Sequence, residues 1–437
     1  MITSAARRRM NALGDRARRA RLRIALRSAG LFYNPPMTTT ITTDRLLALI
    51  EEELPDLIAL RHDLHAHPEL GYEEHRTSEV IQRELEAAGI DFARNLAGGT
   101  GVMGHLPAPG DSAIGLRADM DALPITEATG LDYSSTNPGV MHACGHDGHV
   151  TMLIGAARVL AKIAGGQNLP RPVTFVFQPA EEGGAGGRKM VEDGCLTGNV
   201  IGEPIEHMFG LHGWPQLEFG LVGTRTGPLL AAADFLDVTI TGTGSHAAFP
   251  HLGHDPILAA GAFIQAAQQV AARNVDPLDA IVVSITQIHA GTTHNIIPDK
   301  VEMHGTVRIL REETQEFAIR RLKEIGEGIG KAHGCEIEVE YSKGYPATLN
   351  SAEAVEIFNT VARTALGEER VVDVPQPFMG GEDFAFYCRE VSSCFFLLGL
   401  RPPEAGEMPD LHQPTFNFND DAIATGVELF CRLALRE

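Results

Sequence analysis

The sequence has no stretch of about 18 consecutive apolar residues, so no segment of it is expected to cross a membrane as a helix. Its six cysteines are scattered and include no C-x-x-C pair, which argues against a disulfide framework and for a reducing, cytoplasmic location. Basic residues are scarce, with 36 Lys and Arg against 57 Asp and Glu. Because so acidic a chain repels phosphate backbones, nucleic acid is not an expected partner.

The basic residues that are present are concentrated at the start of the chain. Residues 1–36 hold nine Arg, no Lys and one acid, Asp15, so the rest of the chain carries a net charge of −29. This segment fits a transit peptide, a tail that binds an acidic partner, or an over-extended start ahead of Met37. We favour the over-extended start, because Met37 follows two prolines and directly precedes the first helical pattern. Residues 1–36 are therefore left out of the fold prediction.

The length of 437 residues predicts more than one domain. Between residues 40 and 226, short apolar strands alternate with helices, which predicts an α/β fold with a mostly parallel sheet. The predicted elements are helices at 43–65, 77–88 and 150–163, and strands at 113–117, 173–178 and 207–211.

The pattern changes near Gly227. From there the order is strand, helix, strand, strand, helix, strand, which is the ferredoxin-like βαββαβ unit. After Lys343 the first pattern returns, with a helix at 352–365, a strand at 394–398 and a last helix after Asp420. We therefore predict a larger domain formed by residues 40–226 and 343–437, with an inserted domain at 227–342.

Side chains able to bind metals follow each predicted strand of residues 40–226 and precede the helix at 150–163. Ligands of open α/β sheets bind at the carboxyl ends of the strands, so these side chains are expected to share one edge of the sheet. Taken alone, each of these side chains also fits a role without a metal, such as part of a solvated loop or an inert buried thiol. Their joint occurrence favours a metal site. The side chains are Asp119, Asp121, Cys144, His146, Glu181, Glu182 and His212.

The donor types narrow the choice of metal. Thiolate, imidazole and carboxylate together suit Zn²⁺, or Mn²⁺ where oxygen donors dominate. More than four candidate ligands indicate two divalent ions that share a bridging group, as in dinuclear hydrolases.

Four motifs resemble those of the M20 metallopeptidase family, and the closest branch is that of the hippurate hydrolases and N-acyl-amino-acid amidohydrolases. The resemblance runs from about Leu46 to the end of the chain. It implies a dinuclear aminopeptidase-like catalytic domain with an inserted lid or dimerisation domain. The motifs are LRADMDALP at 116–124, MHACGHDGH at 141–149, PAEEGG at 179–184 and GGEDF at 380–384.

The resemblance also implies roles for individual residues. Glu181 matches the general base, which takes a proton from water and passes it to the departing amine. Asp121 matches the acid that orients a ligand or tunes the base, and Asp119 is a weaker candidate for a supporting role. In the GGEDF loop, we expect Asp383 to orient a ligand and Glu382 to cap the next helix. The implied metal ligands are Cys144, His146, Glu182, His212 and His412.

The inserted domain carries further candidates. His246 resembles the family histidine that stabilises the oxyanion. In family dimers that histidine often comes from the neighbouring subunit, which implies a homodimer or higher homo-oligomer. Alternatively, His246 is a loop histidine that is hydrogen-bonded to the backbone. Asn295 and Arg308 match positions that hold the substrate's carboxylate. Arg308 fits a solvated edge residue equally well. His294 departs from the small or aromatic residue usual there.

The resulting prediction is metal-dependent hydrolysis of a small N-acyl amino acid to a carboxylate and a free amino acid. A carboxypeptidase or dipeptidase with the same metals is an alternative that Arg308 fits as well. A catalytically silent paralogue would be expected to lack the base or a ligand, and here every such position is filled.

Overall fold

A computed structural model describes residues 41–166 and 169–436, in which 16 strands are assigned. The basic segment 1–36 lies outside the described residues, so its three interpretations stay open. Among the helices of the described ranges, none is long and apolar enough to cross a bilayer.

An eight-stranded sheet lies at the centre of the larger part. Its strands are β1 (Asp91–Leu96), β2 (Gly101–Leu106), β3 (Ala113–Asp119), β4 (Val173–Gln178), β5 (Ile205–Glu218), β6 (Val222–Thr224), β15 (Val371–Asp373) and β16 (Ser392–Arg401). Their order is β1-β2-β4-β3-β5-β16-β6-β15. The central strands β4, β3, β5 and β16 run parallel. β3 and β4 are buried along their whole length, as expected for parallel strands covered on both faces.

Helices cover this sheet. These helices are α1 (Thr43–Ala66), α2 (His75–Ala87), α3 (His146–Ala164), α4 (Gly186–Glu192), α7 (Ala352–Leu366), α8 (Ala385–Cys388) and α9 (Ala422–Leu435). Three of them, α1, α3 and α9, pack against one another. α1 begins where the Thr42 side chain accepts a hydrogen bond from the Arg45 backbone N–H, a typical N-cap.

The remaining strands and helices lie between and beside these elements. They are β7 (Gly227–Leu230), β8 (Ala232–Thr241), β9 (Ser245–His246), α5 (Pro256–Gln269), β10 (Ile281–Ala290), β11 (Ile296–Ile297), β12 (Lys300–Ile309), α6 (Glu312–His333), β13 (Glu336–Tyr345) and β14 (Thr348–Asn350). Four of the strands form an antiparallel sheet in the order β10-β12-β8-β13. One face of this sheet packs against α5 and α6 around Phe263 and Leu322.

These two sheets confirm the predicted fold class, an α/β fold with a mostly parallel sheet and an added βαββαβ unit. The domain boundaries at residues 227 and 342 stay a prediction.

Several elements extend further than predicted, and two of them, α3 and β5, thereby include predicted metal ligands. α3 begins at His146, four residues before the predicted start, because Gly145 takes a left-handed φ of 86° that L residues rarely adopt. β5 continues past Leu211 to Glu218, since pairing with β16 extends that far. His212 therefore lies within a strand rather than after one.

Candidate metal centre and active site

The site lies where the carboxyl ends of the central strands meet the start of α3. Asp119 ends β3, and Glu181 and Glu182 lie in the loop after β4. His212 lies within β5, and His146 is the first residue of α3. Parallel strands bring these segments to one edge of the sheet, the usual ligand-binding edge of α/β folds.

The five predicted metal ligands lie close together. Cys144, His146 and His212 form one group with ligand atoms within 4.8 Å of one another, and Cys144, Glu182 and His412 form a second. The Cys144 Sγ lies 3.4 Å from the His212 Nε2, and the His412 Nε2 lies 3.1 Å from the Glu182 Oε1. Both groups contain Cys144, so its sulfur lies between two adjacent sets of donors.

Asp121 orients His146 and the loop that carries the two glutamates. Its Oδ1 accepts a hydrogen bond from the His146 Nδ1 at 3.2 Å, and its carboxylate also accepts from the backbone N–H groups of Glu181 and Glu182. The His146 Nε2 is buried and has no hydrogen-bond partner among the described residues. Buried nitrogens are rarely left unpaired, so this atom fits a metal ligand whose other ring nitrogen is fixed by a carboxylate.

His212 is fixed by the strand that carries it. Its Nδ1 donates to the Gly213 carbonyl at 2.8 Å, which leaves the Nε2 free on the side of Cys144. Burial lowers the pKa of His212 well below its ordinary value, so the ring stays neutral, the form that binds a metal. The Gly213 N–H in turn donates to the His149 Nε2 at 2.9 Å.

His412 approaches from a loop near the end of the chain. Its backbone φ is 64°, a left-handed conformation that histidine tolerates better than most residues. Its backbone N–H donates to the Ala143 carbonyl at 2.8 Å, next to Cys144. The hydrogen bond to Glu182 raises the pKa of His412. The loop that carries His412 is thus hydrogen-bonded at the site to segments that carry Ala143 and Glu182 and are remote from it in sequence.

Glu181, the predicted base, is buried beside other carboxylates. Its Oε1 accepts a hydrogen bond from the Asp383 backbone N–H at 3.3 Å. Burial, and then the charges of Glu382 and Glu182, raise the pKa of Glu181 well above its ordinary range. So much negative charge in one buried place is costly without compensating cations, and the donor set therefore fits divalent metal ions.

Arg117 holds part of this negative charge and was not identified from the sequence. It is fully buried on β3 and pairs with Asp119 at 2.7 Å, Asp383 at 2.9 Å and Glu382 at 3.0 Å. The signal in the sequence is an arginine that directly follows the apolar run 113–116 in the same strand, since a charged residue inside a buried strand must find buried partners.

Asp383 does not contact a predicted metal ligand, contrary to expectation. Its carboxylate accepts from Arg117, from the Gln178 Nε2 at 2.8 Å and from the Gly187 N–H at 2.8 Å. The Asp383 carboxylate therefore fixes the loop in which the Asp383 backbone N–H donates a hydrogen bond to the Glu181 Oε1. Asp119, the other supporting candidate, accepts from the His149 Nδ1 at 2.6 Å.

We expect Arg117→Met to destabilise the fold by about 3–5 kcal/mol, because it leaves three buried carboxylates without their cation. Equilibrium unfolding in urea measures the change. Arg188→Met is the control, since Arg188 is half-exposed and pairs with Glu192 at 3.7 Å, a contact worth less than about 1 kcal/mol. Equal midpoints for the two variants would contradict the role of Arg117.

The candidates from the inserted segment divide into two sets. Arg308, half-buried on β12, lines a cavity of about 470 Å³ together with Cys144, Glu181 and His412. His246 is exposed on β9, and its Nδ1 accepts from the Ala248 N–H at 3.0 Å. Asn295 is exposed, and its carbonyl accepts from the Ala247 N–H at 3.0 Å. Within the described chain, His246 and Asn295 do not line this cavity.

The rest of the cavity wall is largely apolar. Trp214 lies two residues after His212, and the two ring centroids are 5.8 Å apart. Other lining residues are Leu230, Ala233, Phe235, Tyr345, Gly380, Gly381 and Leu411. An apolar wall next to metal-binding and cationic groups suits a substrate with an apolar part and an anionic part.

Known proteins resemble this chain over most of its length. The model of peptidase family M20/M25/M40 matches residues 115–436. The chain is 37% identical to the hippurate hydrolase of Campylobacter jejuni, over 86% of this chain and 95% of that protein. It is 39% identical to the N-acetyl-L-cysteine deacetylase of Bacillus subtilis, over 87% of this chain and 90% of that protein.

A solved structure agrees with these matches. A dinuclear metal-binding peptidase of the M20 family from Bacillus subtilis superposes with a TM-score of 0.75 and 34% identity, over 88% of this chain and 98% of that one. The chain therefore belongs to peptidase family M20/M25/M40, in its branch of hippurate hydrolases and N-acyl-amino-acid amidohydrolases.

Proposed function

We propose that this amidohydrolase holds two divalent metal ions on Cys144, His146, Glu182, His212 and His412, and cleaves small N-acyl amino acids. The observation that carries the proposal is the pair of donor groups that share Cys144. Glu181 and Arg308 face the same cavity as these donors. A base and a cation for the substrate's carboxylate are thus present beside the metal-binding groups.

The donors are one thiolate, one carboxylate and three imidazoles, a combination that suits Zn²⁺ or Mn²⁺. Such ions polarise an amide carbonyl and lower the pKa of water. Glu181 takes the proton of the attacking water and delivers it to the departing nitrogen. Asp121 keeps the Glu181 backbone and the His146 ring in place through its hydrogen bonds.

Activity on a substrate panel tests this proposal. N-benzoyl-glycine and N-acetyl-methionine should be hydrolysed with higher kcat/KM than dipeptides that carry the same amino acids. Higher kcat/KM for the dipeptides would instead favour the carboxypeptidase or dipeptidase alternative. The absence of hydrolysis with the metal-loaded enzyme would contradict both.

We expect Arg308→Leu to lower kcat/KM for N-benzoyl-glycine about 10- to 100-fold, because a charge-assisted contact to the carboxylate is lost. The effect should lie mainly in KM. N-benzoyl-glycinamide, which lacks the carboxylate, is the matched control and should be hydrolysed equally by both enzymes. An equal loss on both substrates would contradict carboxylate recognition by Arg308.

We further propose that His246 stabilises the oxyanion in a homodimer, with Asn295 beside it at the substrate's carboxylate. The exposed position of His246, outside its own chain's cavity, supports a contribution to a neighbouring subunit.

A cytoplasmic location is proposed as well, supported by six cysteines that all lack a disulfide.

A mixture of two inactive variants tests the shared site. Equal amounts of His246→Ala and Glu181→Gln, after subunit exchange, should regain about a quarter of the wild-type activity, because half of the dimers then contain one intact site. Each variant alone, taken through the same exchange, is the control. No recovery despite demonstrated heterodimers would contradict a shared site.

A further inference from the structure

The loop that carries Glu181 and Glu182 has an unfavourable backbone. Ala180 and Ala185 take left-handed φ values of 51° and 55°, and Gly183 takes 89°. A left-handed conformation is unfavourable for a non-glycine residue and persists only where the surroundings hold it. The position of the catalytic base therefore depends on contacts from outside the loop.

Side chains from other elements supply those contacts. Glu74 accepts from the Ala180 N–H at 2.8 Å, and Tyr72 donates to the Gly184 carbonyl at 2.5 Å. Asp121 accepts from the N–H groups of the two glutamates. These three side chains all come from the amino-terminal part of the chain.

Tyr345 holds the loop from the opposite direction. Its hydroxyl donates to the Glu181 carbonyl at 2.6 Å and accepts from the Ala185 N–H at 3.1 Å. The Tyr345 hydroxyl oxygen thus links the backbone of Glu181, the proposed base, to that of Ala185 at the other end of the loop. Burial raises the pKa of Tyr345, so the hydroxyl keeps the proton that it donates.

Tyr345 is also the last residue of β13. It pairs with Ala233 of β8 in the antiparallel sheet, after an irregularity in the register that follows Ser342. Ala233 and Arg308, which are partners across β8 and β12, line the cavity. The tyrosine therefore connects the sheet that presents Arg308 with the loop that presents Glu181.

We propose that Tyr345 is a positioning residue that fixes the backbone of Glu181, the proposed base, relative to the sheet that carries Arg308. The proposal rests on the proposed function, since it assigns Tyr345 an effect through Glu181. It predicts an effect on kcat rather than on KM, because substrate affinity depends on Arg308 while proton transfer depends on the position of the Glu181 carboxylate. A displacement of about 1 Å can lower a rate about 100-fold.

Tyr345→Phe tests the proposal, because it removes both hydrogen bonds and keeps the ring that packs against Phe386. We expect the metal-loaded variant to lose about 10- to 100-fold in kcat on N-benzoyl-glycine, with KM within about threefold of wild type. Metal content and melting temperature are measured in parallel. Tyr341→Phe is the control: it removes a hydroxyl of the same strand, which donates to Asp234 at 2.5 Å within the antiparallel sheet. Its kcat should be unchanged.

Three outcomes would overturn the proposal. Wild-type kcat in folded, metal-loaded Tyr345→Phe would contradict it and leave the proposed function intact. Loss of metal or of the fold would assign Tyr345 a purely structural role. A metal-loaded wild type without amidase activity would contradict the proposed function and this inference together.

Discussion

Glu181→Gln should keep its metal ions and lose catalysis, with kcat on N-benzoyl-glycine reduced by about 10²- to 10⁴-fold, the usual contribution of a general base. The amide has nearly the shape of the carboxylate and can still accept the Asp383 N–H, so the loop should keep its conformation. It cannot take a proton from water at neutral pH. KM should change little, because Arg308 is untouched.

Steady-state kinetics and metal analysis of the purified variant check this prediction. Glu192→Gln is the matched control, since Glu192 is exposed on α4 and its only effect should be on a surface contact with Arg188. Near-normal activity of Glu181→Gln would contradict its assignment as the base. Loss of the metals would show instead that Glu181 is needed to assemble the site.

Removal of the metals should abolish activity. We expect a chelator to reduce kcat/KM at least about 1,000-fold, because the ions supply several kcal/mol of stabilisation to the charge that develops on the amide oxygen. The melting temperature should fall as well, since buried carboxylates around Glu181 then repel one another without compensation. Re-addition of Zn²⁺ or Mn²⁺ should restore both properties, and the better ion identifies the preferred metal.

Cys144→Ser separates the metal effect from side effects of the chelator. This variant should bind less metal and lose activity, because a hydroxyl replaces the thiolate shared by the two donor groups. Cys335→Ser is the control, because Cys335 precedes β13, packs against the core of the antiparallel sheet and belongs to neither donor group. Full activity after chelation, verified by metal analysis, would contradict the metal-dependent mechanism.

Much of the fold was predictable because its longer elements carry their own periodicity. The antiparallel sheet and its helices α5 and α6 were found in the right order from alternating strands and amphipathic helices. Short strands such as β6, β7, β14 and β15 were missed, since three or four residues show no period. These strands exist because partners remote in sequence pair with them.

The site was predictable to a similar degree. Cys144, His146, Glu181 and Glu182 lie in dense motifs next to element boundaries, so their residue types and positions indicated metal chemistry. Tyr345 stands alone in its local sequence, and Arg117, although it lies in the LRADMDALP motif, is not a metal-binding residue type, so neither was singled out. Their roles follow from partners more than 150 residues away, namely Asp383 for Arg117 and Glu181 for Tyr345.

The sequence by itself determined the donor types, the α/β pattern and the family to which the chain belongs, because each of these is encoded in local residue order. The tertiary structure decided which donors share Cys144, which ring nitrogen of His146 is left free, and how Arg308 comes to face Glu181. It also placed His246 outside the cavity of its own chain. These features depend on contacts between distant segments, and such contacts arise only when the burial of both sheets fixes the segments in space.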